Sequence, residues 1–247
     1  MASAAEQLAA NLNFGALAKA DELKKRIWFT LGALIVYRLG TYIPLPGMNP
    51  DAVADLFKQT QTGVLGLFNM FSGGAVGRLA IFALAIMPYI SASIIIQLLS
   101  SVVPTFEALK KEGEAGRKIL NQYTRYLTLV LALFQAWGIG VGLQGSGNLV
   151  LEPGPFFLIS TTITLVGGTM FLLWLGEQIT SRGIGNGTSM IIFAGIIAEF
   201  PAQLAQTLEL GRQGAISTGL LLLVMVMAVC VIAFVVFVER AQRRLLI

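Results

Sequence analysis

The fold of this chain is decided by residues 62–99, TGVLGLFNMFSGGAVGRLAIFALAIMPYISASIIIQLL, which hold a short apolar run and a long one. The short run, 64–71, is cut off by Ser72, Gly73 and Gly74, whereas 79–99 gives 21 residues without a charge. A membrane span needs about 20 residues, so only the second run is long enough. A half-helix broken by glycines needs protein or water around it, because lipid cannot satisfy its freed backbone groups. This pairing indicates a transport path.

The composition extends this interpretation to the whole chain. Hydrophobic residues make up 55% of the 247 residues and charged residues only 12%, more apolar surface than a soluble domain needs. Five further runs have the length of a membrane helix: 27–43, 126–143, 156–175, 184–200 and 220–238. Arg38 lies near one end of the first run, where its long side chain can reach the interface. We therefore predict an all-α, polytopic membrane protein with six transmembrane helices plus a re-entrant half-helix.

Basic residues predict the orientation of these spans. With six crossings, 13 of the 17 Lys and Arg residues fall on one side, and Arg38, Lys58, Arg78 and Arg212 remain for the other. The positive-inside rule then puts both termini in the cytoplasm. Because the basic residues follow membrane sidedness rather than one face with interleaved aromatics, a nucleic-acid-binding role is disfavoured.

Residue counts exclude several kinds of chemistry. The chain has no His and a single Cys, which excludes disulfides within the chain, Cys- or His-ligated metal sites and His-dependent catalytic triads. We predict that Cys230, in the last span, is a small buried apolar residue. Acidic residues mostly lie in loops or at helix ends, with no carboxylate pair inside a span. Neither an enzyme nor a proton-coupled pump is therefore expected, and no cofactor is expected.

Seven stretches together resemble the SecY family, the central subunits of the bacterial Sec protein-translocation channel. They occur in the family's order and at its spacing from near Lys24 onward. They are 68–74 (FNMFSGG), 86–97 (IMPYISASIIIQ), 110–114 (KKEGE), 122–126 (QYTRY), 174–180 (WLGEQIT), 182–187 (RGIGNG) and 238–244 (VERAQRR). The family has ten spans in two inverted halves of five. Because this chain resembles spans one to six, the resemblance implies about half of a ten-helix channel.

The resemblance also implies roles for particular residues. Residues from about 63 to 77 match the plug, the half-helix that seals the resting pore from outside. Its central positions here are Phe68, Asn69, Phe71, Ser72, Gly73 and Gly74. The apolar pore ring maps to Ile86, Ile90 and Ile192, with Thr188 at a position where the family often has Ile. Ser91, Ser93 and Gln97 map to one side of the lateral gate, where signal sequences exit into lipid.

The residues themselves leave plainer interpretations open. The half-helix can be a re-entrant loop that fills a gap. Ile86 and Ile90 are four apart and share a helix face, with Pro88 as a kink point between them, which suits both ordinary packing and a ring that gates ions by dewetting. The hydroxyl and amide groups can serve interhelical hydrogen bonds of about 0.6–2 kcal/mol each. Residues 182–187 lack the preceding strand and the GK[ST] ending of a phosphate loop, so we predict a turn.

The resemblance implies a passive channel that conducts unfolded polypeptide across the bacterial cytoplasmic membrane or sideways into it. The implied organisation is a cytoplasmic segment (1–26), a first five-helix half (27–207), and a sixth helix with the start of the next cytoplasmic loop (208–247). The implied partners are SecE, SecG, the SecA motor, the ribosome, signal sequences, nascent polypeptides and membrane lipid, with no small-molecule substrate. Two rivals remain from the residues: half of a secondary transporter with a small-molecule site at the broken helix, and a structural fragment without transport of its own.

The orientation can be tested with single cysteines. A cysteine placed within 110–118 should react with a membrane-impermeant maleimide only from the cytoplasmic side, and one within 145–149 only from the outside, because the basic residues hold the first segment inside. Labelling of intact and of opened cells measures both. Equal accessibility of the two segments in intact cells would contradict the predicted orientation.

Overall fold

The structure is a computed structural model that describes residues 21–49, 52–53, 55, 64–147, 149–213 and 217–240. Its secondary structure in these residues is helical, apart from isolated bridges between Pro44 and Ala80 and between Met48 and Val150. The helices are α1 (Asp21–Gly40), α2 (Val64–Phe71), α3 (Met87–Val102), α4 (Pro104–Lys111), α5 (Glu114–Gly145), α6 (Pro155–Arg182), α7 (Gly187–Arg212) and α8 (Thr218–Arg240). The predicted all-α class is confirmed.

Small side chains let the long helices pack closely. Every fourth residue of α5 is small and buried along one stripe: Thr124, Thr128, Ala132, Ala136 and Gly140. Stripes of this kind let helix backbones approach each other in a membrane, where van der Waals packing replaces the hydrophobic effect between helices. The helix α5 packs on α6 and on α3, and α6 also packs on α1. These contacts join α1, α3, α5 and α6 into one packed group.

The second predicted span begins later than its apolar run. Residues 79–86 are turns, and helix α3 starts only at Met87, with Pro88 in its first turn. The prediction of Pro88 as a kink point is therefore wrong, because a proline without an N–H group fits the first turn of a helix. Residues 79–81 instead bond to the segment after α1: Leu45 N donates to Leu79 O at 2.9 Å, and Ile81 N donates to Ile43 O at 3.0 Å.

Other helix ends also differ from the apolar runs. Helix α1 ends at Gly40, three residues before the predicted end of the first span. Residues 104–122, which lie between two of the apolar runs, are mostly helical, as α4 and the first turns of α5, and α4 bends away from α3 by 97°. Residues 201–212, which follow the apolar run 184–200, continue as helix to Arg212. Helices thus continue beyond the apolar residues, because helical backbone hydrogen bonds do not require a lipid environment.

Four helices in the described residues are long and apolar enough to cross a membrane, or five if the bent pair α3 and α4 counts as one. They are α5, α6, α7 and residues 222–239 of α8. Helix α1 falls short because charged residues fill its first two turns and Arg38 lies near its end. The predicted count of six spans therefore stays a prediction.

The chain divides into two compact units, one ending at Ala198 and the other beginning at Glu199. In the second unit, α8 exposes its described side chains, including Cys230. The prediction that Cys230 is buried is wrong for the described residues.

Two adjacent glycines of α6 give a matched test of the packing. A Cβ on Gly168 would lie 2.2 Å from the carbonyl oxygen of Ile81, whereas a Cβ on Gly167 would meet nothing within 4 Å. We expect Gly168→Ala to lower the free energy of unfolding by about 1–3 kcal/mol through overpacking. Gly167→Ala should leave it unchanged or raise it by up to about 1 kcal/mol, since alanine favours helix.

The midpoint of thermal unfolding in detergent compares the two variants. Equal midpoints would show that α6 does not approach residue 81 as closely as the structure has it.

Candidate functional site

The candidate site comprises the half-helix α2, the turn that follows it (72–78) and the residues of α1 and α7 that contact this turn. We call these contacting residues of α1 and α7 the seat. Asn69 closes this turn: its Oδ1 accepts a hydrogen bond from Gly77 N at 2.7 Å, and its carbonyl accepts one from Gly74 N at 2.9 Å. Ser72 Oγ donates to the same carbonyl at 2.9 Å and accepts from Val76 N at 3.2 Å. The side chains of Asn69 and Ser72 thus bind N–H groups of the turn, and Ser72 also binds a carbonyl that the end of the helix leaves without a helical partner.

The turn requires glycine at two successive positions. Gly73 has φ +64° and Gly74 has φ +84°, the left-handed region, where a side chain is unfavourable. Gly73 also lies against a third glycine, Gly195 of α7: a Cβ on Gly73 would be 3.1 Å from the Cα of Gly195. The helix therefore ends in a defined glycine turn, and the backbone of this turn lies close to the backbone of α7 at Gly195.

Two neighbouring side chains of α1 bind the carbonyl oxygens of this turn. The Tyr37 hydroxyl, on a side chain that is 1% exposed, donates to Ser72 O at 3.1 Å. The Arg38 guanidinium donates from Nη1 to Gly73 O. The sequence predicted only that the Arg38 side chain reaches the membrane interface. The structure adds a second contact, because one of its nitrogens binds the turn.

Cationic side chains also stack on one aromatic ring beside the turn. The Arg38 guanidinium carbon lies 5.0 Å from the centre of the Tyr42 ring, and that of Arg78 lies 4.3 Å from it. Arg38 Nη2 donates to the Tyr42 hydroxyl at 3.0 Å. Cation–π contacts of this kind are worth about 0.5–1 kcal/mol at exposed sites. The end of α1 and the segment after the turn are thus joined through Tyr42.

The predicted pore-ring residues divide between different surroundings. Ile86 is 3% exposed and belongs to an apolar cluster with Phe82 and Ile191, against which Ile90 packs. Ile90 N donates to Ile86 O at 3.1 Å, so the two residues are one turn apart, as predicted. Ile192 is half-buried, and its neighbour Ile191 takes the fully buried place in the cluster.

Thr188 lies in a polar environment at the start of α7. Its N–H donates to Asn186 Oδ1 at 3.0 Å, and it lines a cavity of about 290 Å³ with Arg125 and Glu177. Arg125 Nε and Glu177 Oε1 are 2.6 Å apart and join α5 to α6. Residues 183–186 form the turn predicted there instead of a phosphate loop. The structure thus brings Ile86 and Ile90 together and places Thr188 beside charged groups.

The residues predicted for the lateral gate line two different cavities. Ser91 is exposed and lines a mostly apolar cavity of about 560 Å³, together with Ser72 and Gln135. Gln97 Nε2 donates to Ser93 Oγ at 3.4 Å, and both line a smaller cavity with Lys110 and Arg117. In the described part of the chain, no group of three His, Cys, Asp or Glu residues is arranged to hold a metal ion.

Sequence reasoning missed three residues of the seat: Tyr37, Arg38 as a ligand of the turn, and Gly195. A single charge within an apolar run is the signal that could have found Arg38, because charges in spans are costly and usually have partners.

Phe71, at the end of α2, is 40% exposed. The predicted plug position Gly63 and the side chain of Phe68 lie outside the described residues.

Comparison with known proteins identifies the family to which this chain belongs. The family model described as SecY matches residues 80–247. The protein translocase subunit SecY of Escherichia coli strain K12 is 56% identical over 229 residues, covering 92% of this chain and 52% of the relative. That of Vibrio cholerae is 56% identical over 228 residues, covering 92% and 51%. The chain thus spans about half the length of these curated relatives.

The fold is also similar to that of a solved channel. Sec61 in the canine ribosome–channel complex from the endoplasmic reticulum aligns with a TM-score of 0.52 and 18% identity. The alignment covers 76% of this chain and 38% of the Sec61 chain. At that identity the likeness concerns the fold alone.

Proposed function

Because this chain belongs to the SecY family, we propose that it forms the N-terminal half of the wall of a protein-conducting channel. The channel passes unfolded secretory polypeptides across the membrane and releases membrane proteins sideways into lipid. One observation carries this proposal: a half-helix ends in a turn whose freed backbone groups are bound by protein side chains. Such a broken helix is tolerated inside a membrane where protein or a water-filled path surrounds it.

The half-helix α2, with the turn after it, is the plug of this channel. Its polar turn is held by hydrogen bonds to α1 and by close contact with α7, while Phe71 remains 40% exposed. A short element held by a few side-chain bonds can leave its seat without unfolding the helices around it. Plug residues 68–74 therefore close the resting path and move aside for a polypeptide.

The apolar ring and the lateral gate lie on α3 and α7. Ile86, Ile90 and Ile192 supply the ring from this half, and branched apolar side chains exclude ions by dewetting. Thr188 makes its part of the ring wetter. Ser91, Ser93 and Gln97 form this half's side of the gate, where the mostly apolar cavity beside Ser91 suits a hydrophobic signal sequence.

The distribution of basic residues supports the proposed orientation. The channel lies in the bacterial cytoplasmic membrane with both termini of this chain inside, and its domains are residues 1–26, 27–207 and 208–247. The exposed basic residues of α4 and early α5 offer a cytoplasmic docking surface for the SecA motor and the ribosome. SecE and SecG pack on the exposed apolar helix faces. The chain is a channel subunit and not an enzyme.

Removing the half-helix tests the proposed plug. Replacing residues 64–71 by a Gly-Ser linker of equal length should raise the ion leak of the resting full-length channel, because nothing then fills the path. Signal-dependent polypeptide transport into proteoliposomes should persist and serves as the control for folding. An unchanged leak in a transport-competent variant would contradict the plug.

Serine substitutions test the pore ring. Ile86→Ser, Ile90→Ser and Ile192→Ser should each raise the resting ion conductance, because a polar lining hydrates the constriction. Ile163→Ser is the matched control, since Ile163 lies on α6, away from the ring helices, with its side chain 67% exposed. Thr188→Ile should lower the conductance slightly. Equal conductance of the ring variants and the Ile163 variant would indicate plain packing.

A further inference from the structure

The turn after α2 is held in two different ways on its two sides. Residues 79–81, beyond the turn, are bound to residues 43–45 by backbone hydrogen bonds of 2.9 and 3.0 Å. These bonds do not depend on any side chain. Ser72 and Gly73, at the near side of the turn, are bound to α1 through the side chains of Tyr37 and Arg38.

The two glycines lie between these differently held parts. Gly73 and Gly74 adopt left-handed φ values of +64° and +84° and can change conformation at little steric cost. Hinges are usually a few residues that absorb large changes of φ and ψ. A rotation at Gly73 and Gly74 would carry α2 and Ser72 away while residues 79–81 kept their backbone bonds.

We propose that Tyr37 and Arg38 are positioning residues that latch the half-helix in its resting seat, with Gly73 and Gly74 as the hinge on which it leaves. This proposal rests on the proposed function of α2 as the plug. Opening breaks the bonds from the Tyr37 hydroxyl to Ser72 O and from the Arg38 guanidinium to Gly73 O. It also breaks the two bonds across the hinge, from Gly77 N to Asn69 Oδ1 and from Val76 N to Ser72 Oγ. The backbone pairing of 79–81 with 43–45 stays intact and returns α2 to the same place.

Gly195 completes the latch from the side of α7. A Cβ on Gly195 would lie 2.8 Å from Phe71 O, 3.0 Å from the Tyr37 hydroxyl oxygen and 3.2 Å from Gly73 N. Only a glycine therefore lets α7 approach the seated turn. An alanine there opposes the seated position without removing a hydrogen-bond donor, which gives a test independent of Tyr37.

The first test removes the Tyr37 hydroxyl. Tyr37→Phe keeps the ring that stacks on Phe82 but loses the bond to Ser72 O. In the full-length channel without substrate, the ion leak should rise about fivefold, the population shift expected from one lost hydrogen bond. Tyr123→Phe, at a 46% exposed position on α5, is the matched control and should not change the leak.

A labelling readout separates a latch from a general structural role. In a Cys230→Ser background, Phe71→Cys should react with a membrane-impermeant maleimide about fivefold faster when Tyr37→Phe is added. Ser146→Cys, at an exposed position after α5, should react at an unchanged rate. General loosening of the fold would accelerate both reactions.

The second test adds a methyl group at α7. Gly195→Ala should raise the leak and the labelling of Phe71→Cys severalfold, although alanine favours a helix more than glycine. Gly142→Ala, where a Cβ meets nothing within 4 Å, should change neither quantity. If Tyr37→Phe fails to fold, Gly195→Ala alone tests the proposed latch.

The outcomes separate the latch from the plug. If the linker replacement of 64–71 raises the leak while Tyr37→Phe and Gly195→Ala leave leak and labelling unchanged, the latch is wrong and the plug stands. If the linker replacement leaves the leak unchanged in a transport-competent channel, the proposed function of α2 is itself wrong. Increased leak and faster selective labelling in both point variants support the latch.

Discussion

A helix that stops inside an apolar environment leaves backbone groups that water cannot reach, and each one without a partner costs several kcal/mol. The half-helix α2 meets this constraint with few residues. Asn69 and Ser72 bind the N–H groups of the turn, and Tyr37 and Arg38 of α1 bind its carbonyl oxygens. The charge within the first apolar run is therefore explained by the break in the next one.

Close backbone packing places these partners. The small residues along α5 bring the long helices together, Gly168 of α6 touches the segment after the turn, and Gly195 of α7 touches the turn itself. Phe82 stacks on both Tyr37 and Phe171, with ring centres 6.2 and 5.9 Å apart, and so links the seat to α6. A polar turn thus lies on a tightly packed apolar cluster, an arrangement that fixes one resting position.

The sequence predicted the elements of this fold better than their ends and contacts. The half-helix could be predicted because an apolar run of eight residues stops at a serine and two glycines. The start of α3 could not be predicted, because hydropathy indicates which residues are stable in lipid but not where helical hydrogen bonding begins. Leu79 and Ala85, within the apolar run, even take left-handed φ values. The partner of Arg38 lies 35 residues away and follows from tertiary packing alone. The different surroundings of Ile86 and Thr188 likewise depend on how α3 and α7 are placed.

The most direct test of the latch and hinge is an experimental structure of the full-length channel in a lipid nanodisc, determined at rest and with a trapped polypeptide. We expect the Tyr37 hydroxyl and the Arg38 guanidinium to bind Ser72 O and Gly73 O at rest. With polypeptide bound, we expect both contacts to be broken while Leu45 N still bonds to Leu79 O. A displaced half-helix that keeps its bonds to α1, or a resting state that lacks them, would contradict this proposal.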